Sequence, residues 1–94
     1  MKDTCTRNKE LIRILGLQGT YEILSELEKG EKRFSELKRL VTHSTLAKRL
    51  RELERLKLVS RKILNTRPPI VLYSLTPKGK EIISFLKRIS KDNN

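Results

Sequence analysis

Leucines recur at steps of four, three and three within the segment FSELKRLVTHSTLAKRLRELERLKL, which runs from Phe34 to Leu58. In an α-helix this spacing produces a single apolar face, formed by Leu46, Leu50, Leu53 and Leu56. With about 100° of rotation per residue, the opposite face carries one hydroxyl group and three cations, at Ser44, Lys48, Arg51 and Arg55. The pattern therefore predicts a helix that packs through leucines and offers positive charge to a partner.

A shorter amphipathic segment precedes this helix and is joined to it at Val41-Thr42-His43. Phe34 and Leu37 lie on its apolar face, and either Ser44 or Thr42 can cap the helix that follows. Two short helices joined by a tight turn, with cations on the outer face of the second, indicate a helix-turn-helix unit.

The periodicity changes after the second helix of this unit. Residues 58–64 and 70–75 are rich in β-branched side chains and alternate in part, and the polar loop 65–69 contains Pro68 and Pro69. We therefore expect two strands joined as a hairpin, or wing. Thr76-Pro77 then gives an N-cap with proline at the first helical position, which predicts a final helix to about Lys91.

Two further helices are predicted ahead of the helix-turn-helix unit. Residues 1–7 are expected to be loose, Asn8 is a plausible N-cap for the first helix, and Thr20 can cap a second helix that ends near Gly30. Residues 31–33 form a short charged link. The predicted fold class is therefore α+β, a single winged helix-turn-helix domain over residues 1–94, with a two-stranded β wing and a C-terminal helix.

The charge balance favours a polyanionic partner. The 94 residues include 22 Lys and Arg against 11 Asp and Glu, a formal net charge of +11, and no acidic residue occurs between Arg55 and Lys80. Nucleic acid is the commonest polyanion available to such a surface, although a generally basic surface is the simpler alternative. No apolar run could span a bilayer and no signal peptide is evident, so we expect no membrane association and a cytoplasmic location.

Several ordered motifs resemble one family. The run GEKRFSEL at residues 30–37 is similar to the G-x-x-R-F-x-E-L segment of HxlR-type winged helix-turn-helix regulators, relatives of the MarR type. Further matches are L-x-KRLRELE at 46–54, LVSR at 58–61 and YSLTPKG at 73–79, and the proline pair also fits. Two departures are the absence of Trp from residues 16–21 and Lys57 in place of a glycine, which would cost about 1 kcal/mol in a left-handed conformation.

The resemblance and the charge pattern together predict a sequence-specific regulator of transcription that binds double-stranded DNA. Helix 44–57 would enter the major groove and wing 65–69 would reach the minor groove of a pseudo-palindromic site. On the helix the predicted DNA-contacting residues are Ser44, Thr45, Ala47, Lys48, Arg49, Arg51 and Arg55. On the wing they are Arg61, Lys62, Asn65, Thr66 and Arg67. The stem of Arg49 lies beside Leu56 and could instead pack.

The first and last helices carry more apolar residues than one buried face needs, which favours a homodimer. The predicted dimerisation residues are Leu11, Ile12, Ile14, Leu15, Ile82, Phe85, Leu86 and Ile89. The single cysteine, Cys5, excludes an internal disulfide and aligns roughly with a cysteine that senses oxidants or electrophiles in some HxlR-type regulators. An incidental thiol in a flexible tail is the alternative to a redox role.

The sequence contains few motifs that would support another class of function. His43 has no second histidine or cysteine at metal-ligand spacing, and no set of nucleophile and base, carboxylate pair or phosphate-binding glycine loop is present. We therefore expect no catalytic activity, metal or cofactor. The remaining alternative is a winged-helix module for protein or RNA contact without operator specificity. Cations on helix 44–57 oppose protein contact, and the four aromatic residues form no evident stacking platform for RNA.

Overall fold

The computed structural model describes the backbone of residues 2–92 and the side chains of residues 9–89. The described backbone forms five helices and three strands. They are α1 (Lys2–Leu15), α2 (Thr20–Glu28), β1 (Lys32–Arg33), α3 (Phe34–Leu37), α4 (His43–Arg55), β2 (Val59–Leu64), β3 (Ile70–Leu75) and α5 (Pro77–Asp92). The architecture confirms the predicted α+β winged helix-turn-helix, with α3 and α4 as its two helices and β2–β3 as its wing.

The strands form one antiparallel sheet in the order β1-β3-β2. In the wing, β2 and β3 pair from Val59 opposite Leu75 to Leu64 opposite Ile70. On its other side β3 pairs with β1, where Lys32 lies opposite Tyr73. The expectation that residues 31–33 form only a charged link was therefore wrong, because two of them add a third strand that ties the start of α3 to the wing.

Helix α1 also differs from the prediction at its start. It begins at Lys2 rather than after an N-cap at Asn8. A short polar side chain caps a helix only where the chain before it leaves helical geometry. Since residues 2–7 are themselves helical, Asn8 lies inside α1, and residues 2–7 of the expected loose tail are instead part of the helix.

The core lies where α2, α4, β2, β3 and α5 meet. Its buried side chains are Ile14, Ile23, Leu24, Leu27, Leu37, Leu46, Leu50, Leu53, Leu56, Leu58, Val59, Leu75 and Ile83. All four leucines of the predicted apolar stripe are thus buried as the spacing required, three within α4 and the fourth, Leu56, directly after it. Burial of each such side chain stabilises the fold by about 1.5–3 kcal/mol, which fixes the orientation of α4.

The end of α4 and the start of α5 are joined by hydrogen bonds. Lys57 has a φ of 66°, the left-handed conformation in which glycine is usually found. The hydroxyl of Thr76 donates to the Lys57 carbonyl and accepts from the Gly79 amide, as an N-cap does. The predictions of a non-glycine residue in a strained position after α4 and of a Thr-Pro start to α5 were both correct.

Candidate nucleic-acid interface

Helix α4 presents its polar face to solvent because its leucines hold the opposite face in the core. Of the two residues that could cap it, the structure selects Thr42, whose Oγ1 accepts from the Thr45 amide at 3.4 Å. Ser44, Lys48, Arg51 and Arg55 are exposed, and Thr45 and Ala47 are half-buried. Six of the seven predicted helix residues therefore have at least part of their surface accessible to a partner.

Arg49 is the exception and requires a correction. The residue is only 9% exposed. Its Nε donates to the carbonyl of Gln18 at 3.1 Å, and its Nη1 donates to Glu52 Oε1 at 3.0 Å. A buried guanidinium with these partners would leave both acceptors unsatisfied if it turned outward to DNA. Arg49 therefore holds α4 against the 16–19 loop and does not belong to the exposed face.

Glu52 connects this buried contact to α1. Its second carboxylate oxygen, Oε2, lies 3.7 Å from Arg13 Nη2, while its first accepts from Arg49. The side chain of Glu52 is mostly buried, so these two cations compensate its charge in a region where water does so poorly. Together these contacts orient α4 relative to α1 and to the 16–19 loop that follows α1.

The exposed cations of α4 differ in their partners. Lys48, Arg51 and Arg55 line one open groove together with Glu52. Within the side chains described, 9–89, Lys48 and Arg51 take part in no salt bridge, whereas Arg55 pairs with Glu10 of α1. A hydrogen bond from Arg55 lowers the pKa of the Glu10 carboxyl, and the same contact raises the pKa of the Arg55 guanidinium further above its ordinary value. The pair is therefore fully charged at neutral pH.

The cations of the wing also differ in whether they have an acidic partner. On β2, Arg61 lies 3.6 Å from Glu54 and Lys62 lies 3.4 Å from Glu31. The predicted tip residues Asn65, Thr66 and Arg67 are all exposed. Thr66 donates from its hydroxyl to the Pro68 carbonyl at 2.8 Å, which folds the tip on itself. Among the residues described, no salt bridge involves Arg67, so its charge at the tip is available to a partner.

The acidic partners of these cations were not foreseen from the sequence. Glu10, Glu31 and Glu54 reach Arg55, Lys62 and Arg61 from α1, from the segment before β1 and from α4. Only the third pair joins neighbouring elements of the chain. The sequence pattern showed where cations cluster, but it contains no signal for which distant carboxylate folds against each of them.

The predicted dimerisation residues separate into buried and exposed groups. Ile14 is 0% exposed and belongs to the core of this chain, so its assignment to a dimer surface is corrected. Leu11, Leu15, Ile82 and Leu86 are partly buried against that core. Ile12, Phe85 and Ile89 remain 70%, 54% and 42% exposed, which leaves one large apolar side chain on α1 and two on α5 facing solvent.

The remaining residues noted from the sequence have simpler positions. The side chain of Cys5 lies outside the described residues. His43 is the first residue of α4 and not part of the turn before it, and its ring meets the ring of Phe34 edge-on with centroids 5.0 Å apart. No group of three or more His, Cys, Asp or Glu residues that could hold a metal ion occurs among the described side chains. None of the helices, as far as they are described, is long and apolar enough to span a membrane.

Comparison of the sequence with known families gives one match over most of the chain. The sequence model of the HxlR-like helix-turn-helix family matches residues 14–93. The HTH-type transcriptional regulator YvaP of Bacillus subtilis is 34% identical over 92 residues, which cover 95% of this chain and 85% of YvaP. An HTH-type transcriptional regulator of Methanothermobacter thermautotrophicus is 42% identical over 67 residues, which cover 68% of this chain and 51% of that relative.

Solved structures agree with this match. The reduced form of the transcriptional regulator YodB from B. subtilis aligns with a TM-score of 0.79 and 30% identity over 88% of this chain and 84% of YodB. A MarR-family protein from Enterococcus faecalis V583 aligns with a TM-score of 0.81 and 34% identity, covering 96% and 84%. The relatives matched by sequence are named as regulators and not as enzymes. The chain belongs to the HxlR-like helix-turn-helix family of DNA-binding transcription regulators.

Proposed function

We propose that the protein regulates transcription by binding a specific duplex DNA sequence with α4 in the major groove. The observation that carries this proposal is the pair of exposed cations on α4, Lys48 and Arg51, which are held away from the core by buried leucines and lack a salt bridge within the described side chains. A major groove about 12 Å wide accepts one helix, and exposed side chains near its N-terminus reach the base edges.

The chemistry of the face suits base recognition. Lys48 and Arg51 can donate to the guanine acceptors O6 and N7, and the methyl groups of Thr45 and Ala47 can contact the thymine methyl. Ser44 can donate to a base or to a phosphate. Arg55 lies near the end of α4, farther from the helix N-terminus, and is better suited to a phosphate. Arg49 is withdrawn from the proposed contacts because its guanidinium is buried.

The wing supplies a second contact in this proposal. An arginine on a stiff loop can enter a narrow minor groove, where the negative potential is enhanced. Arg67 fits that role because it is exposed at the tip and is followed by two prolines. Asn65 and Thr66 lie beside it, and Arg61 and Lys62 on β2 are placed to contact the phosphates at the groove edge.

We further propose that residues 1–94 form one winged-helix domain that dimerises through its terminal helices. The exposed side chains of Ile12, Phe85 and Ile89 support this, since large apolar groups on both terminal helices are most simply covered by a second copy. A two-fold dimer would place its α4 helices in successive major grooves, roughly 34 Å apart, and would select a pseudo-palindromic site.

The DNA contact is tested by substitution on α4. Footprinting on the DNA upstream of the protein's own gene would define a site. Lys48→Ala and Thr45→Ala should then lower the preference for that site over an unrelated duplex by roughly 1–3 kcal/mol each, the value of a good base contact. Lys80→Ala serves as the control, since it removes one exposed charge at the start of α5. If Lys48→Ala and Thr45→Ala both kept the wild-type preference, as the control should, α4 would not read sequence, and tight binding of single-stranded RNA instead would favour the RNA alternative.

The dimer is tested by sedimentation velocity at micromolar protein concentration. Phe85→Lys places a charge in the proposed interface and should convert a dimer to a folded monomer. Ile63→Lys is a matched control, because Ile63 is 62% exposed but lies on β2, away from the terminal helices. A stable wild-type monomer would contradict the proposed assembly, and so would loss of the dimer in the Ile63 variant alone.

A further inference from the structure

The cations proposed to meet DNA are of two kinds in the folded chain. Lys48, Arg51 and Arg67 form no salt bridge within the described side chains, whereas Arg55, Arg61 and Lys62 each meet one glutamate. A guanidinium or ammonium that already holds a carboxylate can bind a phosphate only if that contact is broken or shared. The free energy that the surface gains by binding phosphates is therefore lowered by its own acidic residues.

The pair formed by Arg55 and Glu10 differs most from an ordinary surface contact. It joins α4, the proposed reading helix, to α1, which lies far away in the sequence. The Glu10 side chain is 22% exposed and is held between α1 and α4, while Arg55 remains 57% exposed. Arg55 also lines the same open groove as Lys48 and Arg51, so its guanidinium lies on the face proposed for DNA.

We infer that Glu10 is an intramolecular competitor of DNA phosphate, occupying the guanidinium of Arg55 until the duplex displaces it. This inference rests on the proposed function. Carboxylate and phosphate both match the planar fork of arginine, and the two ligands therefore compete for the same donors. Binding of Arg55 to a phosphate exchanges one charged contact for another and gains less than binding by an unpaired arginine would.

The exchange couples the position of α1 to DNA affinity. By linkage, any event that moves α1 away from α4 releases Arg55 for DNA, and DNA that takes Arg55 weakens the contact between the two helices by the same free energy. The helices do not separate entirely when Glu10 is displaced, because Arg13 of α1 still lies 3.7 Å from Glu52 of α4. Glu10 thus adjusts the affinity while the Arg13 contact and Ile14 in the core keep α1 in place.

The test measures binding of the full chain to a mixed-sequence duplex of about 40 base pairs, roughly four helical turns, by fluorescence anisotropy over a range of salt concentrations. Glu10→Gln keeps the shape of the side chain and removes its charge. Glu81→Gln is the matched control, since Glu81 is exposed on α5 and forms no salt bridge within the described side chains. Both variants change the net charge equally, so their difference isolates the contact with Arg55.

Glu10→Gln is expected to bind roughly two- to fivefold more tightly than Glu81→Gln, the size of one exposed ion pair. The slope of log K against log salt should be equal for the two variants, because Arg55 neutralises one phosphate in the complex that each of them forms. In an Arg55→Met background the two glutamine variants should bind equally. Thermal melts of each variant check that it is folded. The Arg55→Met background shows whether the effect of Glu10 on affinity depends on Arg55.

Two results would overturn the inference while leaving the proposed function intact. One is equal affinity of the two glutamine variants for the duplex, and the other is a difference in affinity between them that persists in the Arg55→Met background. A wild-type chain that bound no duplex at any salt concentration would instead refute the proposed function, and the inference would fall with it.

Discussion

The two ends of the β2–β3 hairpin lie in opposite environments although the same two strands form both. At the base, Val59 pairs with Leu75, both are buried, and the Thr76 amide donates to the carbonyl of Leu58 at 3.0 Å. At the tip, residues 65–69 are all exposed. The hydrogen bonds found there are local, such as the one from the Thr66 amide to the Leu64 carbonyl at 2.9 Å.

This difference separates stability from function within one structural element. The base joins the end of α4 to the start of α5, and it therefore sets the direction in which the wing leaves the domain. The tip contributes little buried surface, so packing does not constrain its side chains and they can serve contacts with a partner. We expect substitutions at the base to change folding and substitutions at the tip to change binding alone.

Gly79→Ala should have the largest effect, because Gly79 is packed against the base of the hairpin. A Cβ atom at this position would lie 2.1 Å from the carbonyl oxygen of Leu58 and 3.0 Å from its carbonyl carbon. Both are backbone atoms that cannot move without shifting α5 away from the turn after α4. We expect a loss of about 3 kcal/mol in the free energy of unfolding, at the upper end for overpacking, measured by urea denaturation.

Gly16→Ala is the matched control for that measurement. A Cβ atom on Gly16 would have its nearest neighbour at 3.6 Å, an ordinary contact with the carbonyl oxygen of Arg13. The same chemical change should therefore alter stability by less than about 1 kcal/mol. Equal losses at the two glycines would mean that close packing at the hairpin base does not set the difference between base and tip.

The sequence predicted those parts of the base that depend on local chemistry. The leucine period located α4, and the Thr-Pro pair located the start of α5, because both signals involve residues within a few positions of each other. The left-handed residue after α4 was also predicted, although nothing in the structure explains why lysine rather than glycine occupies position 57. Strand β1 was missed, since two residues have no period and become a strand only by pairing with β3.

The candidate site was predictable in its charge but not in its pairing. Helical rotation placed Arg49 at the flank of the exposed face, and only the fold brings the Gln18 carbonyl and Glu52 within reach of its guanidinium. Similarly, Ile14 counted as one of several apolar residues on a terminal helix until the packing of α1 placed it in the core. Contacts between distant elements decide both cases, and a single sequence does not encode them as a pattern.

Arg67→Ala tests the opposite end of the hairpin and should have the smallest effect on stability. Arg67 is exposed, and no salt bridge involves it within the described side chains, so the free energy of unfolding should change by less than about 0.5 kcal/mol. Affinity for duplex DNA should nevertheless fall, and the slope of log K against log salt should become shallower by up to about 0.9, because the complex loses the cation proposed to enter the minor groove. The two measurements together distinguish a functional tip from a structural one.

Lys80→Ala, which removes the same charge from the start of α5, is the control for Arg67→Ala. If the tip contacts DNA directly, the Arg67 variant should lose more affinity and more of the salt slope than the Lys80 variant, at equal thermal stability. Equal binding by both variants would show that the tip contributes only to the overall field of the protein. A loss of stability above 1 kcal/mol in Arg67→Ala would instead place structural contacts at the tip, and the division between base and tip would not hold.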